Sequence, residues 1–329
     1  MSHTAEELPG DTAPGRLPDF LIVGHAKSGT TALYEMLRRH PQIFMPDDKE
    51  PWFFASDMRP RFQPRAGGLP PANLAEYMRL FAAAAPGQMA GEASSSYLWS
   101  HTAAAAIAEV KPDARLIAIL REPADFLRSL HLQLLQSHVE SVQDFRRAIE
   151  LEPDRRAGKR IPRRSHRPQL LRYSEHVHYV EQLERYRAAF PAEQMLVLIY
   201  DDFRADNEAT VRTVLRFLGA EDSLPVEVLR SNPSVRVRSQ QLDDLVHSVS
   251  VGRDPLSRAA KTAVKALAPG SASRRLLQSV QRNVVLGEPR PVDQEFMRQL
   301  RVRFKDEVVA VSEYLGRDLV RLWGYEDIG

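Results

Sequence analysis

The chain has 329 residues, 43% of them hydrophobic, a formal net charge of +2 and no cysteine. That length is enough for a sizeable core in one large α/β domain. The near-neutral charge gives no general pull toward nucleic acid, and the missing cysteines exclude disulfides, thiolate metal sites and thiol nucleophiles. The first residues are polar and broken by Pro and Gly, unlike a signal peptide, and no apolar run approaches the roughly 18–20 residues of a membrane span. A cytoplasmic location is therefore expected.

Residues 1–17 read as a flexible tail and 18–329 as the domain. An apolar strand over 20–23 runs into a tight loop, 24–29, and a helix opening at Thr30-Thr31. His40-Pro41 ends that helix, because the residue before proline disfavours the α region. A short strand follows over 42–45, then the segment DDKEPWFF at 47–54, charged first and aromatic after. Residues 59–72 are a proline-rich loop, and 73–85 place Leu74, Tyr77, Met78 and Phe81 at helical spacing. GEASSSYLW, from 91, reads as a strand end and loop, and 102–110 as an alanine-rich helix. RLIAIL at 115–120 is a continuous apolar run, the pattern of a strand buried on both faces, and a helix follows over 124–136.

The stretch 152–172 holds eight Lys and Arg, including Arg155 and Arg172, with few large apolar residues; it reads as a basic insertion, either a solvated loop or a lid over an acidic acceptor. It lacks the interleaved aromatics of a nucleic-acid surface. A long helix is expected over 173–189, a third apolar strand over 195–200, and a helix over 207–218 closed by Gly219. A basic segment, 231–240, precedes a variable helical region over about 240–290, and a last helical region covers 291–315. Tyr200 and Trp323 read as core. Strands alternating with helices predict a central parallel sheet flanked by helices.

The loop at 24–29 carries the densest chemistry. A loop that delivers a helix N-terminus binds anions, because unpaired amides and the helix dipole point at the ligand. Lys27 adds a charge; Ser28, Thr30 and Thr31 add hydroxyls. The nucleotide-triphosphate pattern would set a lysine directly after the glycine. Here Thr30 follows Gly29 and the lysine lies two residues before it. Three readings stand on the residues: a sulfuryl-transferring enzyme, a P-loop kinase or other nucleotide phosphotransferase, and a non-catalytic nucleotide- or polyanion-binding protein.

KSGTT after an apolar strand resembles the 5′-phosphosulfate loop of sulfotransferases that use 3′-phosphoadenosine 5′-phosphosulfate (PAPS, released as PAP). RLIAILREPADFLRSLHLQ resembles that family's 3′-phosphate segment, KEPWFF and GEASSSYL resemble two segments of its heparan-type branch, and LGRDLVRLWGY resembles that branch's C-terminus. The resemblance implies a P-loop-like sulfotransferase fold. It also implies that PAPS is held by Lys27, Ser28, Gly29, Thr30 and Thr31 at one end. Arg121 and Ser129 hold the other end, joined by Arg236 or Arg238. Glu50 becomes the general base and Lys27 the cation at the bridging oxygen. Trp52, Phe53, Glu92, Ser94 and Tyr97 line the acceptor side.

A sulfuryl group carries one formal negative charge where a phosphoryl carries two, so the chemistry requires no metal. Glu92 is the second candidate base. His25 reads as packing in preference to chemistry. Ala93 stands where the related branch has a lysine used in glycan binding, which weakens a heparan-like acceptor. The acceptor is a hydroxyl of a small molecule, lipid or glycan. Oligomeric state, a homo-oligomer included, stays open.

Overall fold

The computed structural model describes residues 15–58, 70–163, 165–227, 236–237, 286–287, 291 and 293–328. Arg238, most of the basic segment at 231–240 and nearly all of the helical region expected over 240–290 lie outside the described residues.

Five strands form one parallel sheet: β1 (Phe20–Gly24), β2 (Ile43–Phe44), β3 (Met89–Ala93), β4 (Arg115–Leu120) and β5 (Met195–Ile199), in the order β2-β3-β1-β4-β5. The pairing is parallel throughout, with Phe20 opposite both Gly91 and Arg115, and Leu116 opposite Met195. The expected α/β architecture is what is found. β1 is central and all five of its residues are buried, which explains why it reads as an unbroken apolar run.

One face of the sheet shows the alternation a strand imposes. Phe20 and Ile22 of β1, Ile117 and Ile119 of β4, and Leu198 of β5 enter one core. The helix α1 (Thr30–Arg38) adds Leu33, Tyr34 and Leu37 to it. A later helix, Asn207–Leu218, adds Val211, Val214, Leu215 and Leu218. Each such fully buried side chain contributes about 1.5–3 kcal/mol. Gly91 is dictated by this packing: a Cβ there would lie 2.1 Å from the Phe20 ring.

The remaining elements of this unit are α2 (Leu74–Arg79), capped by Asn73, and α3 (Ala103–Val110). α2 covers only the first half of the stretch expected to be helical. The described residues of Met1–Arg59, Gly68–Arg121 and Glu181–Ser231 pack as one compact unit, and those of Glu122–Val180 and Asn232–Gly329 as another.

The second unit begins at α4 (Pro123–Gln136). Glu122 caps it by accepting from the amides of Ala124 and Asp125, and also accepts from the Tyr325 hydroxyl. α5 (Phe145–Glu150) and α6 (Glu152–Arg156) follow. The helix expected over 173–189 is instead a 3-10 turn, Tyr173–Val177, and a separate helix α7, Tyr179–Arg187. Its amides have been drawn to carboxylates: Ser174 N donates to Glu152 Oε1 (3.2 Å) and Val180 N to Glu307 Oε1 (2.9 Å). Side-chain acceptors that compete with the i−4 carbonyls break a helix.

In the first unit, β5 is followed by α8 (Tyr200–Ala205) and α9 (Asn207–Leu218), the latter capped by Asp206 and closed by Gly219 at φ 75°. In the second unit, β6 (Arg236–Val237) pairs antiparallel with β7 (Leu286–Gly287). There too a 22-residue α10 (Gln294–Leu315) buries Phe296, Met297, Leu300, Phe304, Val308 and Val311, and α11 (Leu319–Leu322) follows it. Trp323 and Tyr325 are buried, as their reading as core requires. Among the described residues no helix is long and apolar enough to cross a membrane.

The basic insertion is more ordered than its composition suggests. Arg155 is buried and pairs with Glu140 at 2.7 Å, Arg156 meets Glu152 and Glu175, and Arg160 meets Asp154. Arg167 is also buried. Part of this stretch is thus an ion-paired component of the second unit's interior.

Candidate active site

The loop leaves β1 at the carboxyl edge of the sheet, the edge where open α/β sheets collect ligands. Its backbone is unusual twice: Lys27 has φ 63° and Gly29 has φ 88°. Gly29 has a second constraint, since a Cβ there would lie 2.8 Å from the Phe203 ring. α1 starts at the next residue with no side-chain cap, so its first amides lack the partner that a Ser or Asp cap would supply. Inside the loop the Ser28 hydroxyl is buried with no hydrogen-bond partner. An unpaired buried hydroxyl costs about 1–3 kcal/mol. It becomes intelligible if a ligand supplies the missing acceptor.

Three cations face this loop. Burial, and then the nearby charges of Arg121 and Lys49, hold the Lys27 ammonium below its ordinary pKa. The Arg121 guanidinium donates to the Lys27 carbonyl oxygen (3.0 Å) and lies 4.7 Å over the Tyr200 ring. Tyr200, read as core from the sequence, does pack partly buried against the core, and its ring also lies beneath this arginine. Lys49 reaches the Thr31 hydroxyl at 3.0 Å. Three neighbouring cations, beside an unpaired hydroxyl and an uncapped helix start, suit a phosphate or sulfate group.

Glu50 lies next to Lys49, and its backbone is also held at positive φ, 63°, with Trp52 at 52°. Left-handed backbone at non-glycine residues costs about 1–3 kcal/mol each and persists where surroundings fix it. Here the Glu50 amide donates to Ala93 O (3.1 Å) and the Trp52 amide to Ser94 Oγ (3.1 Å), tying the segment to the end of β3. The Glu50 carboxylate accepts from Ser95 Oγ (2.6 Å), Ser95 N (3.0 Å), Trp52 Nε1 (2.5 Å) and Lys49 Nζ (3.3 Å). Its environment is a set of donors and not the apolar wall that PWFF suggests. Its side chain is 25% exposed, enough to meet a second molecule.

Glu92 is the opposite case. It is fully buried and accepts from Tyr77 OH (2.5 Å) and from Ser94 Oγ. Burial pushes it up to about 7, against the lowering effect of those donors. Ser94 and Tyr97 are buried too; Tyr97 OH accepts from the Phe54 amide (3.3 Å). Phe53 stacks on Tyr77 with ring centroids 4.6 Å apart. Glu92, Ser94, Tyr97 and Phe53 thus build the wall behind Glu50, with only Trp52 and Phe53 partly exposed. His25 is buried with Nε2 2.6 Å from Gln182 Oε1, and burial lowers it to about 4. A neutral, enclosed imidazole is a packing group, as its sequence context suggests.

The first unit therefore brings together Lys27, Ser28, Gly29, Thr30, Thr31, Arg121, Glu50 and Trp52. In the second unit Ser129 is buried on α4 and Arg236 belongs to β6. Sequence reasoning missed Lys49, Ser95 and Tyr200. Lys49 had only its place beside Glu50 as a signal, and Ser95 only its place in the serine run.

This sheet, with a lysine- and hydroxyl-rich loop after its central strand and a carboxylate beside it, suits a group-transferring enzyme. The chain matches the sulfotransferase family model over residues 18–223 and belongs to that family. It is 27% identical over 228 residues to the heparan sulfate glucosamine 3-O-sulfotransferase 3A1 of Mus musculus, covering 66% of this chain and 51% of that protein. It is 29% identical over 211 residues to the bifunctional heparan sulfate N-deacetylase/N-sulfotransferase 3 of Homo sapiens, covering 62% of this chain and 22% of that protein. The crystal structure of a sulfotransferase from Alicyclobacillus acidocaldarius superposes with a TM-score of 0.58 at 26% identity, covering 75% of this chain and 99% of that one. The chain spans about half the length, or less, of these curated relatives.

Proposed function

We propose that the chain transfers the sulfuryl group of PAPS to an acceptor hydroxyl, with Glu50 as general base. Family membership supports the reaction class. The observation that carries the assignment of residues is the short chain of contacts from the loop to the base: Thr31 hydroxyl, Lys49 ammonium, Glu50 carboxylate. It sets a proton acceptor beside an anion cradle. When bound, PAPS supplies an activated sulfuryl group on a good leaving group.

The residues present fit that cofactor. The loop amides, the Ser28 hydroxyl and Lys27 would hold the 5′-phosphosulfate and Arg121 the 3′-phosphate, to which the family resemblance adds Ser129 and Arg236 or Arg238. Lys27 would stabilise charge on the leaving phosphate. Glu50, oriented by Ser95 and Trp52, would take the proton of an acceptor hydroxyl lying about 3 Å from it. The acceptor is a small molecule, lipid or glycan; relatives named for heparan sulfate make a glycan hydroxyl the first to try.

The test is ligand-induced stabilisation followed by transfer. PAP without magnesium should raise the melting temperature, and ATP with magnesium should not. Arg121→Ala should lose affinity for PAP more than for a ligand lacking the 3′-phosphate. Mass spectrometry of acceptor pools incubated with PAPS should then find the added sulfate. Stabilisation by ATP–magnesium alone would replace this reading with a phosphotransferase.

A further inference from the structure

We propose that Lys49 is a catalytic cation of this site, its ammonium contacting the oxygens of the sulfuryl group in transit; the assignment rests on the function proposed above. Lys49 Nζ is within hydrogen-bond reach of two groups that belong to opposite ends of the reaction. One is the Thr31 hydroxyl, in the first turn of α1 at the anion loop, 3.0 Å away. The other is Glu50 Oε1, on the proton-accepting side, 3.3 Å away. A side chain that touches both stands between them. Its side chain is only 20% exposed, so its charge is weakly screened and acts at close range.

The other two cations are placed differently. Arg121 is held by the Lys27 carbonyl and the Tyr200 ring. Lys27 belongs to the loop itself, with its backbone at φ 63°. Lys49 alone of the three donates to the base. An ammonium has three donors, and these two contacts use two of them.

The step balances as follows. A bond forms from the acceptor oxygen to sulfur while the bond from sulfur to the 5′-phosphate oxygen breaks. That electron pair stays with the phosphate, and the acceptor's proton moves to Glu50. Protonation cancels the Glu50 charge and so weakens its pull on Lys49. The ammonium, whose third donor meets the sulfuryl oxygens of bound PAPS from the start, is then freed to hold them more strongly at the stage when they must be stabilised. A lysine serving merely to brace Thr31 against Glu50 would have no preference for a ligand that carries sulfur.

PAP and PAPS differ only in the sulfuryl group, so their binding to the full chain separates these roles without turnover. Calorimetric titration in the absence of acceptor would compare the parent with Lys49→Met and Lys49→Gln. The glutamine keeps a hydrogen bond to Thr31 and guards against a variant that fails to fold. Both variants should bind PAP within about twofold of the parent and PAPS about tenfold more weakly or worse, the loss expected for one charge-assisted hydrogen bond. Equal weakening toward both ligands, or toward neither, would overturn the role of Lys49 and leave the proposed reaction standing. A parent chain that binds neither ligand would overturn the reaction itself.

Discussion

The charges of the first unit's anion loop and those around Glu140 in the second unit are made from the same residue types and do opposite things. Glu140 is sealed: it accepts from Arg155, the Tyr173 hydroxyl and the amides of Ser141 and Val142. The side chains of the Glu140–Arg155 pair are 0% and 1% exposed. At the loop, burial and the neighbouring charges of Arg121 and Lys49 lower the Lys27 ammonium, and Ser28 has a buried hydroxyl with no partner. Satisfied buried charge holds a fold in register, and removing one member is severe. A run of like charges at the carboxyl edge of the sheet costs stability, which a bound anion would offset. Exposure alone would not separate the two regions, since Ser28 is as buried as Glu140, and each has one orphan atom, Ser28 Oγ and Arg155 Nε. The sign of the neighbouring charges does: opposite at Glu140, alike at the loop.

The largest effect should come from Glu50→Gln, which should lower turnover by about 10²–10⁴-fold while PAP still raises the melting temperature; undiminished turnover would remove Glu50 from the mechanism. Next, Arg155→Met should destabilise the fold by about 3–5 kcal/mol in urea unfolding by leaving Glu140 buried without its cation. A variant as stable as the parent would break the contrast from the sealed side.

Glu92 sharpens the contrast through pH. Its raised pKa, about 7 against an ordinary 4.5, means the folded state binds the extra proton between those values. The stability this gives is complete below pH 4.5 and lost as pH rises to 7, about 3 kcal/mol in all. His25, lowered to about 4, acts in the other sense, since its contribution is lost as pH falls from 6.5 to 4. The two oppose each other in the parent. Glu92→Gln should therefore be most destabilising near pH 4.5 and least at pH 8; equal penalties at both would refute the buried-proton account. The smallest effect should be Ser28→Ala. It removes the orphan hydroxyl, so the free chain should gain about 1 kcal/mol while the shift produced by PAP shrinks. A loss of stability in the free chain would show that Ser28 is not waiting for a ligand.

The sheet was legible because a strand buried on both faces must be apolar throughout, and RLIAIL and MLVLI are. The loop was legible because Lys27–Thr31 concentrates donors where a strand meets a helix. What stayed hidden depends on residues far apart in sequence. Nothing local shows that Arg121 rests on Tyr200, that Lys49 turns toward Thr31, or that Arg155 is buried against Glu140. One apolar face of Val177, Val180, Leu183 and Tyr186 over 173–189 likewise does not reveal that Glu152 and Glu307 draw away the amides of Ser174 and Val180.

The contact between Gly29 and the ring of Phe203 carries a consequence for how the chain reaches its active form. The loop follows the first strand, yet the surface it rests on follows the fifth. A growing chain that has made residues 20–38 has every atom of the cradle and nothing to shape it against. Such a long-range contact closes late and slowly, after the intervening strands have paired. Competence to hold the cofactor should thus arise in one step, when α8 docks, and PAP binding can be used to time the completion of the sheet.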